Sequence, residues 1–141
     1  MEEIFLAIQA KLETVTGLAT IDMDWGQLDE PQDSYPVLFP CALVDIAEVQ
    51  WTKTGVKAQP GTVQVKLSIG IDILHDTYSG SRTVAIALAR MQPAKLAHEA
   101  VNLITGTRFS KLIRINTSYK NMYGIKVVVV TYETNVVEVQ V

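Results

Sequence analysis

The chain has 141 residues, of which 48% are hydrophobic and 19% charged, and its formal net charge is −3. This length is typical of one domain, so we expect a single domain over 1–141. The lone cysteine, Cys41, excludes an internal disulfide, and it indicates a buried thiol in a reducing cytoplasm. The basic residues are scattered and no apolar run approaches about 18 residues, so we expect neither direct nucleic-acid binding nor a membrane span.

The first third of the chain predicts one helix, one short strand and two irregular segments. Residues 2–16 carry apolar side chains at helical spacing, and Gly17 ends that helix. Residues 20–25 alternate apolar and acidic side chains, which is typical of a half-exposed strand. Residues 26–34 then form a polar loop, and residues 35–40 contain two prolines, which favour an extended lead-in over a central strand.

The middle of the chain predicts a hairpin followed by a helical region. Residues 41–51 indicate a strand, and residues 52–61 a long, flexible hairpin loop. Residues 63–75 alternate apolar and polar side chains more regularly than any other segment, which predicts a strand with one buried face. Helical sequence follows over 83–105, with an expected break or restart at Pro93.

The last third predicts two strands, at residues 112–117 and 125–139, separated by a turn at 119–124. The element order is therefore α-β-β-β-α-β-β. Strands that follow one another through hairpin-type loops, with few helices between them, are typical of α+β domains. We predict a mainly antiparallel sheet with helices packed on one face.

Residues that could support catalysis or metal binding do not form a recognisable motif. His75 and Asp76 lie near Ser79, but these are ordinary residues of a turn and helix cap, and a catalytic triad requires geometry that proximity in sequence does not provide. His98-Glu99 resembles the start of a metalloprotease motif that lacks its second histidine. We therefore predict no enzymatic activity, no cofactor and no metal site.

The two longest predicted strands are informative because of their length. At about 3.3 Å per residue, fifteen residues reach about 50 Å, whereas a compact chain of this size has a diameter of roughly 37 Å. Unbroken strands at 63–75 and 125–139 would therefore project from the body of the domain. Such a projection favours contact with another protein subunit.

The final strand is apolar on both faces near its middle. Val127 and Val129 point one way, whereas Val128, Val130 and Tyr132 point the other. One face can pack on the helices, and the second needs another cover. Two explanations remain open: a second subunit covers it, or the strand lies between the N-terminal helix and the proline-rich segment.

Four segments resemble a known family. They are YPVLFPCALVD at 35–45, QPG at 59–61, LITG and FSKLIR within 103–114, and VVTYET at 129–134. In this element order, which covers most of the chain, they resemble the tail terminator, or tail-completion, proteins of tailed phages and prophages, which include the minor tail protein U-like proteins.

The resemblance implies an α+β subunit without an active site that forms a ring, commonly a hexamer. The ring would cap the tail tube and join it to the head–tail connector protein, so the implied partners are other copies, the tail-tube protein and the connector. The implied location is the bacterial cytoplasm during assembly and then the tail or neck of the virion. The residues expected to contact another subunit or the tube are Lys53, Lys57, Gln59, Val128, Val130 and Tyr132.

Two alternatives stay open at this point. Within the same class, the chain could be another head–tail joining protein, such as a head-completion or stopper protein, or a tail-tube subunit. In a different class, it could be a small enzyme or ligand-binding domain with a pocket near four aromatic residues, Trp25, Tyr35, Phe39 and Trp51.

Overall fold

The computed structural model describes residues 2–29, 36–55, 57–72, 83–122 and 124–139. It contains two helices and five strands, in the order predicted for an α+β domain. In chain order they are α1 (Glu2–Leu12), β1 (Thr20–Met23), β2 (Cys41–Trp51), β3 (Ala58–Asp72), α2 (Thr83–Val101), β4 (Ile113–Met122) and β5 (Ile125–Val139).

The five strands form one sheet in the order β1-β2-β3-β5-β4. Every neighbouring pair is antiparallel except β1 and β2, which are parallel, so the predicted mainly antiparallel sheet is confirmed. The central strands β3 and β5 have 15 residues each and pair along their whole length, from Ala58 opposite Val139 to Asp72 opposite Ile125. The two shorter strands β1 and β4 are the edges.

Both helices pack on one face of the sheet, which we call the helix face. Helix α1 contributes Ile4, Ile8 and Leu12 to the core, all with exposures of 1% or less. Helix α2 contributes Ala97 and Val101 from its last turns. The strand residues of this core are Ala42, Val44, Val63, Val65, Leu67, Ile69, Ile71, Val128, Val130, Tyr132 and Val136.

The opposite face, which we call the polar face, has a smaller apolar cluster at one end only. Leu28, from the loop after β1, packs there with Cys41, Leu43 and Val127. The segment before β2 adds Val37 and Phe39, which lie against this cluster, as does Val129 of β5. The proline-rich segment thus covers part of the second face of β5, so the explanation that needs no second subunit accounts for the buried valines.

Helix α2 differs from the prediction because it continues through Pro93 without a break. Proline has no N–H to donate to the carbonyl four residues earlier, so one helical hydrogen bond is lost there. The half of α2 that follows Pro93 is held against the sheet by Ala97 and Val101, which are buried. Tertiary packing therefore outweighs the local cost of the proline.

Other boundaries also differ. Helix α1 ends at Leu12 and not at the predicted residue 16. Just after this end, the hydroxyl of Thr14 donates to the Lys11 carbonyl at 2.6 Å. Strand β3 begins at Ala58, inside the predicted loop, because it pairs with the end of β5. Strand β4 extends to Met122, into the predicted turn at 119–124. Residues 73–82, which include His75 and the predicted helix caps, lie outside the described residues.

Candidate assembly surfaces

The tip of the β2–β3 hairpin is exposed, at residues 50–55, 57 and 58. Its base is closed by Thr52, whose N–H donates to the Pro60 carbonyl at 2.9 Å. Gln59 is half-buried and its amide donates to the Thr52 carbonyl at 3.3 Å, whereas Lys53 and Lys57 are exposed. The hairpin thus presents two cationic side chains beyond a hydrogen-bonded base, and these three predicted contact residues lie together.

A tryptophan and a glycine fix the base of this hairpin. Trp51 lies opposite Gly61 in the register of β2 and β3. A Cβ atom at Gly61 would lie 2.6 Å from Cε3 of the Trp51 ring, so the indole lies directly across the glycine. A side chain at position 61 would displace the ring, which is why this strand position requires glycine.

The other three predicted contact residues, Val128, Val130 and Tyr132, lie in the interior of the subunit. Their exposures are 7%, 3% and 0%, and all three face the helices. Strand β5 lies between β3 and β4, so its backbone is paired on both sides. Residues enclosed by the chain's own helices cannot contact a second subunit, and the candidate surface therefore excludes them.

Tyr132 has a polar role within this core. Its hydroxyl lies 2.7 Å from Nδ1 of His98 on α2, and the two rings stack with their centroids 5.7 Å apart. Burial lowers the pKa of His98 and raises the pKa of Tyr132. Both shifts favour the neutral forms, so the hydrogen bond joins a neutral phenol to a neutral imidazole. His98, which resembled part of a metalloprotease motif, instead joins α2 to β5.

Cys41 is a buried thiol, as its apolar surroundings predicted. Its exposure is 0%, and burial raises the pKa of the thiol to about 11. Its sulfur occupies the space beside Gly70, where a Cβ atom would lie 2.8 Å away. A protonated, enclosed thiol is a packing residue and a poor nucleophile.

The uncovered part of the polar face forms an open groove with a volume of about 460 Å³. Its walls carry charges of both signs: Asp45 lies opposite Lys66 in the register of β2 and β3, and Lys120 comes from β4. The polar residues that line it are Asp24, Asp29, Asp45, Gln64, Lys66, Ser68, Asn116, Ser118, Lys120 and Thr131. Leu28, Ile115, Val127 and Val129 also line the groove, so its surface is mostly polar with some apolar area, as in the rim of a protein interface.

The aromatic residues considered for a ligand pocket do not come together. Phe39 precedes β2 and packs in the small apolar cluster, whereas Trp51 is the last residue of that strand. At about 3.3 Å per residue, the strand separates them by about 33 Å. Trp25 has an exposed fraction of 64%, and Tyr35 lies outside the described residues. A common pocket is therefore not formed by the three that are described.

Among the described residues, no three His, Cys, Asp or Glu side chains lie close enough together to hold a metal ion. None of the described helices combines the length and the apolar character needed to cross a membrane.

Comparison with known proteins gives a likeness of fold. No protein-family model matches the chain, and no curated protein matches it. Among solved structures, a chain of the virion of a native gene transfer agent particle is similar, with a TM-score of 0.57 and 12% sequence identity. The match covers 95% of this chain and 94% of that chain. At this identity, the two chains share a fold.

Proposed function

We propose that the chain is a non-enzymatic structural subunit of a tailed-phage-like particle, and specifically a tail terminator. The fold likeness to a chain of a gene transfer agent virion carries this proposal, because it extends over nearly the whole of both chains. The terminator would form a ring, commonly of six copies. One side of the ring would cap the tail-tube protein, and the other would bind the head–tail connector.

The hairpin and the open groove support a role in assembly. The hairpin presents Lys53 and Lys57 away from the core, where they can reach a neighbouring copy or the tube. The groove on the polar face supplies hydrogen-bonding groups over a surface that the chain's own helices do not cover. These features explain why one small domain combines a fully packed helix face with extensive polar surface.

A head-completion or stopper protein and a tail-tube subunit belong to the same class of structural protein. They differ in how they assemble: a tube subunit polymerises into long tubes, whereas a terminator stops at a closed ring. The experiment that tests the proposal is therefore to add the purified chain to a growing preparation of the particle's tail-tube protein. Tubes that stop growing, with one end capped in electron micrographs, are the expected result.

Deleting residues 54–57 sharpens this test, because β2 and β3 can then be joined by a short turn. The deletion should leave the circular dichroism spectrum unchanged, since the core lies elsewhere, and it should impair ring closure or tube capping. The Lys11→Ala variant, which changes an exposed residue of α1, is the control. Full capping activity in the deletion variant would remove the hairpin from the proposed contact surface.

A further inference from the structure

Charged residues segregate to opposite edges of the sheet. Residues 12–52 contain eight Asp and Glu and no Lys or Arg, whereas residues 100–132 contain five Lys and Arg and no Asp or Glu. The first segment includes the edge strand β1, and the second includes the edge strand β4. Within the edge strands themselves, β1 carries Asp22 and β4 carries Arg114 and Lys120, so the two edges have opposite charges.

The backbone of β4 presents unpaired groups on its outer side. Ser110 N donates to Asn135 O, and Val137 N donates to Arg108 O, both at 2.9 Å, so odd-numbered residues of β5 turn their backbone groups towards β4. Between residues 116 and 122 of β4, the residues that lie opposite these odd-numbered β5 residues are even-numbered. The odd-numbered residues of β4 over 117–121 therefore direct their N–H and C=O groups outward, where no described strand pairs with them.

The backbone of β1 has the same arrangement on the other edge. Asp24 N donates to Val44 O at 2.8 Å, so even-numbered residues of this parallel strand face β2. Ile21 and Met23 therefore turn their backbone groups outward. The N–H of Met23 is capped by the carboxylate of its neighbour Asp22, with N and Oδ1 2.7 Å apart. The carbonyl of Met23 accepts from the side-chain amide of Gln27, with O and Nε2 2.9 Å apart. Both outward backbone groups of Met23 therefore have partners in the free subunit, and strand pairing would exchange them.

Both edges expose an apolar side chain on the helix face. Tyr119 of β4 lies opposite Val128, and Met23 of β1 lies opposite Val44, so both point to the helix side of the sheet. Their exposed fractions are 64% and 53%, which is high for residues of this kind. Each edge thus has a largely exposed apolar residue, and Tyr119 has the ammonium of Lys126 5.6 Å from the centroid of its ring.

Both edges also carry a charge on the polar face, and the two charges are opposite. Lys120 lies opposite Val127, and Asp22 lies opposite Leu43, on the side of the sheet away from the helices. Both charged residues are exposed. Among the described residues, no carboxylate forms an ion pair with Lys120, so its charge is available to a partner.

We propose that β4 of one copy pairs with β1 of the next copy, so that the sheet continues from subunit to subunit. Strands β1, β2 and β5 run in one direction and β3 and β4 in the other, so this pairing is antiparallel when the two copies share one orientation. Placing Tyr119 opposite Met23 also places Lys120 opposite Asp22. The same register brings the outward backbone groups of both strands together.

The pairing is head-to-tail, because it joins two different edges. Repeated contacts of this kind close into a ring when the rotation between copies permits. The inference rests on the proposed ring function and adds the surface that joins the copies. The carboxylate of Asp22 would exchange the Met23 amide for the neighbour's lysine as the two strands pair.

Charge inversion tests this pairing in the full-length chain. Asp22→Lys alone and Lys120→Glu alone each place like charges opposite each other at every junction, which strongly disfavours association. We expect each variant to need at least about tenfold more protein to assemble than the wild type. An equimolar mixture of the two variants restores opposite charges at all junctions of an alternating ring, and it should assemble near the wild-type concentration with both variants present in equal amounts.

The outcomes separate this inference from the proposed function. If the wild type forms a ring and both single variants assemble as well as the wild type does, the edge pairing is overturned and the proposed ring function stands. Assembly lost in each variant and not restored by mixing would also contradict it. A wild type that stays monomeric at high concentration would overturn both, and binding of duplex DNA that Lys120→Glu abolishes would then assign the basic edge to nucleic acid. Lys11→Glu/Lys95→Glu, on exposed helix positions, is the charge control.

Cross-linking tests the register without changing the charges. The double variant Met23→Cys/Tyr119→Cys should form intersubunit disulfides on oxidation, because opposed residues of antiparallel strands lie at a Cα separation that a disulfide can span. A ladder of covalent oligomers up to the ring size is expected. Asp22→Cys/Tyr119→Cys, whose side chains point to opposite faces, should give no ladder. Equal yields from both pairs would contradict the register.

Discussion

The two faces of the five-stranded sheet are covered in different ways. On the helix face, α1 and α2 enclose strand residues such as Val65 and Leu67, whose exposures are 0% and 1%. On the polar face, a loop and a proline-rich segment cover only one end, and the rest forms an open groove. Folding stability therefore depends mainly on one face, and the other face and the strand edges remain available for contacts with other subunits.

The largest expected effect comes from two adjacent residues of β3 that point to opposite faces. Leu67→Ala should lower the free energy of unfolding by about 2 to 5 kcal/mol, because it leaves a cavity under the helices. Lys66→Ala, on the groove, should change it by less than about 0.5 kcal/mol. Urea unfolding followed by circular dichroism, at one protein concentration, measures both values. Similar losses in the two variants would contradict the division of roles between the faces.

A smaller effect is expected from the hydrogen bond between His98 and Tyr132. Tyr132→Phe should cost about 1 kcal/mol, because it removes the bond and leaves the ring in place. Since burial lowers the pKa of His98 below its usual 6.5, the unfolded chain binds more protons than the folded chain near that pH. The stabilising contribution is therefore present above pH 6.5 and is lost as the pH falls below it.

The pH dependence distinguishes His98 from a histidine without a structural role. Chemical unfolding at a series of pH values gives the free energy of unfolding as a function of pH. In the wild type this free energy should rise with pH near the usual histidine pKa, and in His98→Gln that rise should be lost. Lys95→Gln, at an exposed position of the same helix, is the control and should retain the full slope. An unchanged slope in His98→Gln would mean that the imidazole does not contribute to stability through its neutral form.

Local patterns in the sequence predicted the elements of the fold but not every contact between them. The alternation along β3 predicted its buried face, and the valines of β5 predicted a strand covered on both sides. The sequence left open what covers Val127, because Leu28 and Phe39 reach it from distant positions in the chain. The sequence also left open the parallel pairing of β1 with β2, because no hairpin signal specifies a parallel pair.

The candidate contact surface was only partly predictable for the same reason. The exposure of Lys53 and Lys57 follows from the composition of their loop, whereas the burial of Tyr132 depends on which face the helices occupy. The basic residues are scattered along the chain. Strand order places two of them, Arg114 and Lys120 of β4, on one edge of the sheet, and Asp22 of β1 lies on the other edge.

The central claim is that the exposed surfaces join copies of the chain into a closed ring. Its most direct test is the mass of the protein in solution across a wide range of concentration, followed by electron microscopy of any oligomer. The account predicts one discrete oligomer, commonly a hexamer, that appears as a ring and does not extend into tubes. A strict monomer at high concentration, or open-ended tubes of variable length, would contradict it.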